Sequence, residues 1–194
     1  MQVRDPEIET VEHLRQENER LREELAAVRA LAIEDALTGL KNRRYFDERL
    51  AAEVDRATRH ETPVSVLVVD VDRFKAINDT HGHQVGDDVL RWVGRFLTAC
   101  VRDHDVVCRT GGDEFMVILP DANADGSARL VERIRRRLGH AGAVGPCGRV
   151  SLSLGAATWD ESCDKASVLV GAADLAMYRD KLARRAAETV SRWV

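Results

Sequence analysis

Asp113 and Glu114 stand side by side within Gly111-Gly112-Asp113-Glu114-Phe115. The flanking runs, Asp105-Val106-Val107-Cys108-Arg109 and Phe115-Met116-Val117-Ile118-Leu119, are short, apolar and rich in β-formers. The stretch therefore reads as the turn of a β-hairpin, in which glycine reaches backbone angles that other residues avoid. A plain hairpin turn needs only a glycine and one Asp or Asn. Two adjacent carboxylates repel, so this tip calls for a cation, or for a proton held by a raised pKa. The paired glycines also leave open backbone for a bulky ligand. A polar turn without chemistry is the bland reading of the same residues.

A second acidic group lies upstream. Pro63 to Val69 reads as a buried strand that ends in Asp70-Val71-Asp72, with Arg73-Phe74-Lys75-Ala76-Ile77-Asn78-Asp79 following. Acids at a strand end, then a lysine opening a helix, suit a metal-bound triphosphate. Carboxylates hold Mg²⁺, and a helix N-terminus with Lys75 meets phosphate oxygens. Helix capping would account for either acid alone. It does not account for both beside a second acidic tip.

These residues are part of a longer pattern that resembles the GGDEF-domain diguanylate cyclases. The matching blocks are Asp35 to Leu40 with Asn42-Arg43-Arg44, Asp70 to Asp79, His81-Gly82-His83 with Gly86-Asp87, Arg109 with Gly111 to Phe115, Ser153-Leu154-Gly155, and Ala176-Met177-Tyr178 with Lys181. The resemblance runs from Asp35 to about Arg185. It implies condensation of two GTP into cyclic di-GMP and two pyrophosphates, with each 3′-hydroxyl attacking the other nucleotide's α-phosphate. It implies Mg²⁺ or Mn²⁺, two or more per active dimer, on Asp70, Asp113 and the Val71 carbonyl. Asp113 is the implied proton acceptor and Glu114 a second metal or base candidate. Lys75 and the amides near Arg73 and Phe74 are implied at the β- and γ-phosphates, as are Lys181 and Arg185. The family's usual glycine before that arginine is Arg184 here.

By the same resemblance Asn78 and Asp87 read guanine, and His83 lies near the base. Asp87 also suits the N-cap of a helix 87–101, and a lone loop histidine has a structural reading. Arg102 and Asp105 stand at the spacing of the family's inhibitory product site, with Arg133 as a helper from the next helix. Arginine forks suit guanine edges and phosphates. The bland reading of Arg102 and Asp105 is a surface pair of little energetic weight.

Positioning these residues takes a particular set of elements. The pattern predicts helix 42–59 with Asn42 as N-cap, strand 63–70, a short helix near 73–79, a loop from His81 to Gly86, and helix 87–101. The hairpin 105–119, helix 124–139, a loop from Gly139 to Gly148, a strand over Val150 to Ala156 with one covered face, and a last helix 166–188 follow. This order argues an α+β fold with helices on a mostly antiparallel sheet. The resemblance implies the palm-like fold of nucleotidyl cyclases and polymerases, spanning 35–194.

Residues 1–34 read as a separate unit. Val11, Asn18, Leu25 and Ala32 fall at heptad position a, and Leu14, Leu21 and Val28 at d. Asn18 at a selects a parallel two-stranded register. Glu17 and Glu24 at g would face Arg22 and Arg29 at e of the partner. The predicted assembly is a homodimer through a parallel coiled coil; a helix packed on its own domain is the alternative.

The chain has 194 residues, 44% of them hydrophobic, which suits one domain plus an appendage. Acids outnumber bases 33 to 29, for a net charge of −4, unlike a nonspecific nucleic-acid binder. Arg133 to Arg137 read as a solvated helix face. Cys100, Cys108, Cys147 and Cys163 show neither zinc spacing nor a disulfide framework, so a reducing cytoplasm is expected. No apolar run is long enough to span a bilayer, and residues 1–5 do not begin a signal peptide. The expected function is a dimeric, product-inhibited diguanylate cyclase. Its alternatives are a catalytically silent receptor for GTP or cyclic di-GMP, and a coiled-coil interaction module carrying the domain as passenger.

Overall fold

The near-continuous apolar run of Val64–Val71 puts apolar side chains on both faces of a central strand, and both faces are covered. The computed structural model describes residues 6–139, 144–159 and 165–191. After helix α1 (Pro6–Ile33) come α2 (Arg43–His60), β1 (Val64–Val71), α3 (Phe74–His81) and α4 (His83–Thr98). Then follow β2 (Val106–Arg109), β3 (Glu114–Pro120), α5 (Ala124–Gly139), β4 (Val144–Gly145), β5 (Gly148–Arg149), β6 (Leu152–Thr158) and α6 (Ala166–Ser191). The main sheet has the order β2-β3-β1-β6, and its pairings are antiparallel. This is the expected α+β architecture.

Two apolar layers hold it. Leu67, Val69 and Val71 of β1 join Phe115 and Val117 of β3 beneath α4 and α5, which contribute Val89, Leu90, Val93, Leu130 and Ile134. On the other face Val64, Val66, Val68, Met116 and Ile118 meet Phe46 and Leu50 of α2 and Leu169, Ala173 and Met177 of α6. The α2 start is local chemistry. Asn42 is extended, and its side-chain oxygen accepts the Tyr45 N–H at 3.1 Å, closing an orphan donor of the first turn. Cys100 and Cys108 are buried thiols, and burial pushes Cys108 up to about 12, so it is inert packing. Cys163 lies outside the described residues.

Three expectations need correction. Helix α4 starts at His83, so 83–86 is helix and Asp87 is not its N-cap. Gly82 makes this possible: at φ 85 it turns the chain from the end of α3 directly into α4. The expected loop from Gly139 to Gly148 contains the short hairpin β4–β5, with Val144 opposite Arg149. Strand β6 is covered on both faces, since Ser153 and Gly155 are as buried as Leu152 and Leu154.

The covering of that second face depends on glycine. A Cβ at Gly155 would stand 1.9 Å from the Met177 amide nitrogen and 2.3 Å from the Ala173 carbonyl oxygen. Bare backbone lets α6 lie directly on β6. Helix α1 differs from the rest: Leu14, Leu21 and Val28 are 60%, 52% and 62% exposed, so the body of the domain does not cover this stripe. The side chains of Val11, Leu25 and Ala32 lie outside the described residues.

Gly155→Ala should destabilise the domain by about 3 kcal/mol or more, because backbone and not a flexible side chain must move. Urea unfolding of the two proteins measures this, and a loss below about 1 kcal/mol would show that α6 is not seated so closely.

Candidate active site

Strand register brings the two acidic groups together. In the β1–β3 pairing Asp70 is opposite Glu114, and the Val71 N–H donates to the Asp113 carbonyl at 3.1 Å. In the β1–β6 pairing Asp70 is opposite Ser153. Directly opposite residues share a face, so Asp70, Glu114 and Ser153 all face α6. Asp70 is 6% exposed. Burial pushes its carboxyl above the ordinary value; Lys181 pulls the other way, while Asp113 and Asp72 add to the rise.

A cation already answers that charge. Lys181 Nζ donates to both Asp70 oxygens, at 2.7 and 2.8 Å. The family resemblance implies Lys181 at a phosphate; here it binds the strand-end acid. The pair offsets part of the cost of burying that carboxylate. At the hairpin tip the Glu114 side chain folds back over Gly111, where a Cβ would be 2.8 Å from its Oε2. Gly112 faces open space. The pair of glycines thus does two jobs, one accommodating Glu114 and one leaving backbone accessible.

Asp72 is fixed by contacts that the sequence did not reveal. Ser151 and Ser153 hydroxyls donate to its two oxygens at 2.5 and 2.6 Å. Arg184 Nη1 reaches Ser151 Oγ at 3.4 Å, and its Nε donates to Asp180 at 3.0 Å. Asp180 also accepts the Leu154 N–H and the Arg135 guanidinium, at 3.0 and 2.6 Å, and so ties α6 to β6 and α5. Arginine at 184 therefore acts as a brace at this wall. Ser151 and Ser153 looked like the polar side of a strand, and no local signal pairs them with Asp72.

Arg73 takes the left-handed conformation, φ 56, immediately before α3. The first turn of α3 carries Phe74 and the exposed Lys75. Further along, Asn78 Oδ1 is buried with no hydrogen-bond partner among the described residues. A Cβ at Gly86 would stand 1.8 Å from it, so α4 meets α3 here through a glycine. Asp87 follows, half-buried, and His83 opens α4 exposed to solvent. The structure thus places Asn78 and Asp87 on the two helices of one junction. An unsatisfied buried amide oxygen is a costly feature and marks a place suited to a polar ligand.

Arg102 and Asp105 form a tight turn before β2. The Arg102 N–H donates to Asp105 Oδ2 at 2.8 Å, and the Asp105 N–H to the Arg102 carbonyl at 3.1 Å. Both residues line a cleft of about 460 Å³. Arg133 is on α5, with its Nε buried and without a partner among the described residues; it does not line that cleft.

Arg109 joins the tip to the rest of the chain. Its Nη1 donates to both Asp35 oxygens, at 3.0 and 3.2 Å, while Nε and Nη2 donate to the Gly112 carbonyl at 3.2 and 2.7 Å. Burial alone would raise the Asp35 carboxyl. The Thr38 hydroxyl and amide, with Arg109, outweigh it and hold Asp35 below the ordinary range.

The donors suit a hard divalent cation. Among the described residues, no group of three or more His, Cys, Asp or Glu side chains could hold a metal by itself. An open set of one or two carboxylates is what Mg²⁺ uses when substrate phosphates and water supply the remaining oxygens. Asp70 already holds a cationic group, and burial, with smaller contributions from Asp113 and Asp72, raises its pKa. The residues fit the group.

A family model described as "Diguanylate cyclase, GGDEF domain" matches residues 32–187. The response regulator PleD of Caulobacter vibrioides is 42% identical over 159 residues, which is 80% of this chain and 35% of PleD. The diguanylate cyclase DosC of Escherichia coli is 42% identical over 162 residues, 82% of this chain and 35% of DosC. The chain therefore spans about a third of the length of these relatives. Among solved structures, the coiled coil and GGDEF domain of DgcB from Caulobacter crescentus, in complex with c-di-GMP, superposes with a TM-score of 0.82 at 31% identity, covering 92% of this chain and 96% of that one.

Asp35→Asn should cost about 1–2 kcal/mol at neutral pH, since a charged acceptor for Arg109 and Thr38 is lost. A carboxylate with a lowered folded pKa stabilises the fold above its unfolded value of 3.8, and that contribution disappears as pH falls through the lowered value. The stability gap between wild type and Asp35→Asn should be constant above about pH 5 and close toward about pH 3. Thermal unfolding over that range checks it; a gap that does not change with pH would contradict the assignment.

Proposed function

Because the chain belongs to the GGDEF, diguanylate cyclase family, we propose that it condenses two GTP into cyclic di-GMP with release of two pyrophosphates. The observation that carries this reading is the strand register that sets Asp70 opposite Glu114 and binds Asp113 to Val71. Asp70 and Asp113, with the Val71 carbonyl, would hold a divalent cation, Mg²⁺ or Mn²⁺, and Glu114 is a further candidate ligand. That cation, when bound, offsets phosphate charge and helps ionise the 3′-hydroxyl.

The chain's own groups supply the rest. Asp113 or Glu114 accepts the proton of the attacking hydroxyl. Lys75 and the amides at Arg73 and Phe74 hold the β- and γ-phosphates, and Lys181 exchanges Asp70 for phosphate oxygens, with Arg185 beside it. Asn78 and Asp87 read the guanine edge, where a carboxylate accepts from N1 and N2 donors that adenine lacks as a pair. His83 lies next to the base. Removing the N-cap role from Asp87 strengthens this reading, because its carboxylate has no capping duty.

One subunit presents one GTP, so turnover requires two faces opposed. The exposed Leu14, Leu21 and Val28 support a parallel α1 coiled coil that raises the effective concentration of the second half-site. Arg102 and Asp105 form the core of the proposed site of product inhibition, with Arg133 of α5 as a helper that does not line the cleft itself. DgcB, a structural relative, was solved in complex with c-di-GMP, which supports product binding here.

Asp113→Asn should lower turnover of GTP with Mg²⁺ by about a hundredfold or more while leaving the melting temperature nearly unchanged. Activity within a few-fold of wild type would remove Asp113 from its role. Wild-type protein that binds GTP and forms no cyclic di-GMP would make the chain a silent receptor. Phase is a separate test of α1: near Ala30, a seven-residue insertion restores the facing of the seam and a four-residue insertion rotates it. Both should remain dimers by light scattering, and the seven-residue variant should keep substantially more activity. Equal rates would make α1 a tether with no orienting role.

A further inference from the structure

The cleft at Arg102 and Asp105 has a second wall that no motif assigns. Lys41, from the turn between α1 and α2, and Tyr45, from the first turn of α2, line it together with Arg102, Asp103 and Asp105. Lys41 Nζ stands 5.3 Å from the Tyr45 ring centroid and 2.9 Å from Glu34 Oε1. The same residue is wired to the hairpin through its backbone: the Arg109 N–H donates to the Lys41 carbonyl at 2.8 Å, and Lys41 bridges to Cys108. Arg109 in turn grips Gly112 at the tip. Lys41 thus touches the cleft, the end of α1 and the strand that carries the acidic motif.

We propose that Lys41 and Tyr45 are part of the product site, and that a bound guanine nucleotide takes Lys41 away from Glu34. The inference rests on the reading of Arg102 and Asp105 as that site. The chemistry of the lining is what a purine nucleotide requires. Tyr45 offers a ring face or edge to a base, Arg102 offers a fork for a guanine edge or a phosphate, and Asp103 offers a carboxylate to N1 and N2 donors. Lys41 offers a mobile ammonium to a phosphate. The volume of about 460 Å³ is in the range of small-ligand sites and accommodates one nucleotide half of a cyclic dinucleotide.

Glu34 and the ligand phosphate compete for one ammonium. Glu34 follows the last residue of α1, so product binding and the state of α1 are linked, and the linkage is reciprocal. The sign of the effect is specific. Removing the Glu34 charge frees Lys41 and must tighten the ligand; removing the Lys41 charge must weaken it.

The test is calorimetric titration of the full chain with cyclic di-GMP, without GTP. Lys41→Met should weaken binding about fivefold or more, and Glu34→Gln should tighten it about two- to fivefold, the range of an exposed ion pair. Tyr45→Phe should bind as wild type and Tyr45→Ala more weakly, with circular dichroism confirming that each variant is folded. Arg102→Ala separates the two levels of the argument. If it abolishes binding while Lys41→Met and Glu34→Gln change nothing, the Lys41 proposal is wrong and the product site stands. If Arg102→Ala has no effect, the product-site reading fails as well.

Discussion

The register of β1 against β3 is the constraint on which the site depends. Asp70 is opposite Glu114 because Val64 is opposite Pro120 and each intervening pair follows in step. A slip of two residues would carry Asp70 about 7 Å along the sheet and dissolve the acidic centre. Burial on both faces forbids a slip of one, since it would exchange Leu67, Val69 and Val71 with Val66, Val68 and Asp70. Gly155 adds a third lock by seating α6, and with it Lys181, directly on β6. The centre itself works against folding, because burial and neighbouring acids raise the pKa of Asp70. Perturbation of this kind, by burial beside a specific charge partner, is characteristic of functional sites.

The second constraint is that the acidic tip does not stand alone. Arg109 spends one end of its guanidinium on Asp35 and the other on Gly112. Asp35 lies in the turn between α1 and α2, so the element proposed for dimerisation and the element that carries the acids share a single side chain. The end of α1 also meets this turn directly, since the Asn42 N–H donates to the Ile33 carbonyl at 2.9 Å. The turn also lines the Arg102 cleft, which puts the end of α1, the acidic tip and the proposed product site around one short segment.

Much of this was legible in the chain, for physical reasons that can be named. β1 and the hairpin are apolar runs bounded by acids and glycines, and α2 announces itself by Asn42 and an apolar spacing of Phe46, Leu50 and Val54. The start of α4 was not legible, because Gly82 and Gly86 look like breakers. Gly82 instead supplies a positive φ between two helices, and Gly86 the space for Asn78. Strand β6 looked half-covered because Ser153 and Gly155 are not apolar. One is buried because it binds Asp72, the other because a helix needs its missing side chain. Ser151, Asp180, Arg184 and the Lys181–Asp70 pair depend on contacts between distant parts of the chain, which periodicity and turn chemistry do not carry. The hairpin β4–β5 is too short to show a period.

The central claim is that register builds an open acidic site which nucleotide oxygens complete. Paramagnetic resonance of Mn²⁺, titrated with and without 3′-deoxy-GTP, which lacks the attacking hydroxyl, tests this without turnover. The account predicts weak binding of Mn²⁺ alone, much tighter binding with the nucleotide present, and loss of that enhancement in Asp70→Asn. Tight binding that ignores the nucleotide, or an enhancement that survives Asp70→Asn, would contradict it.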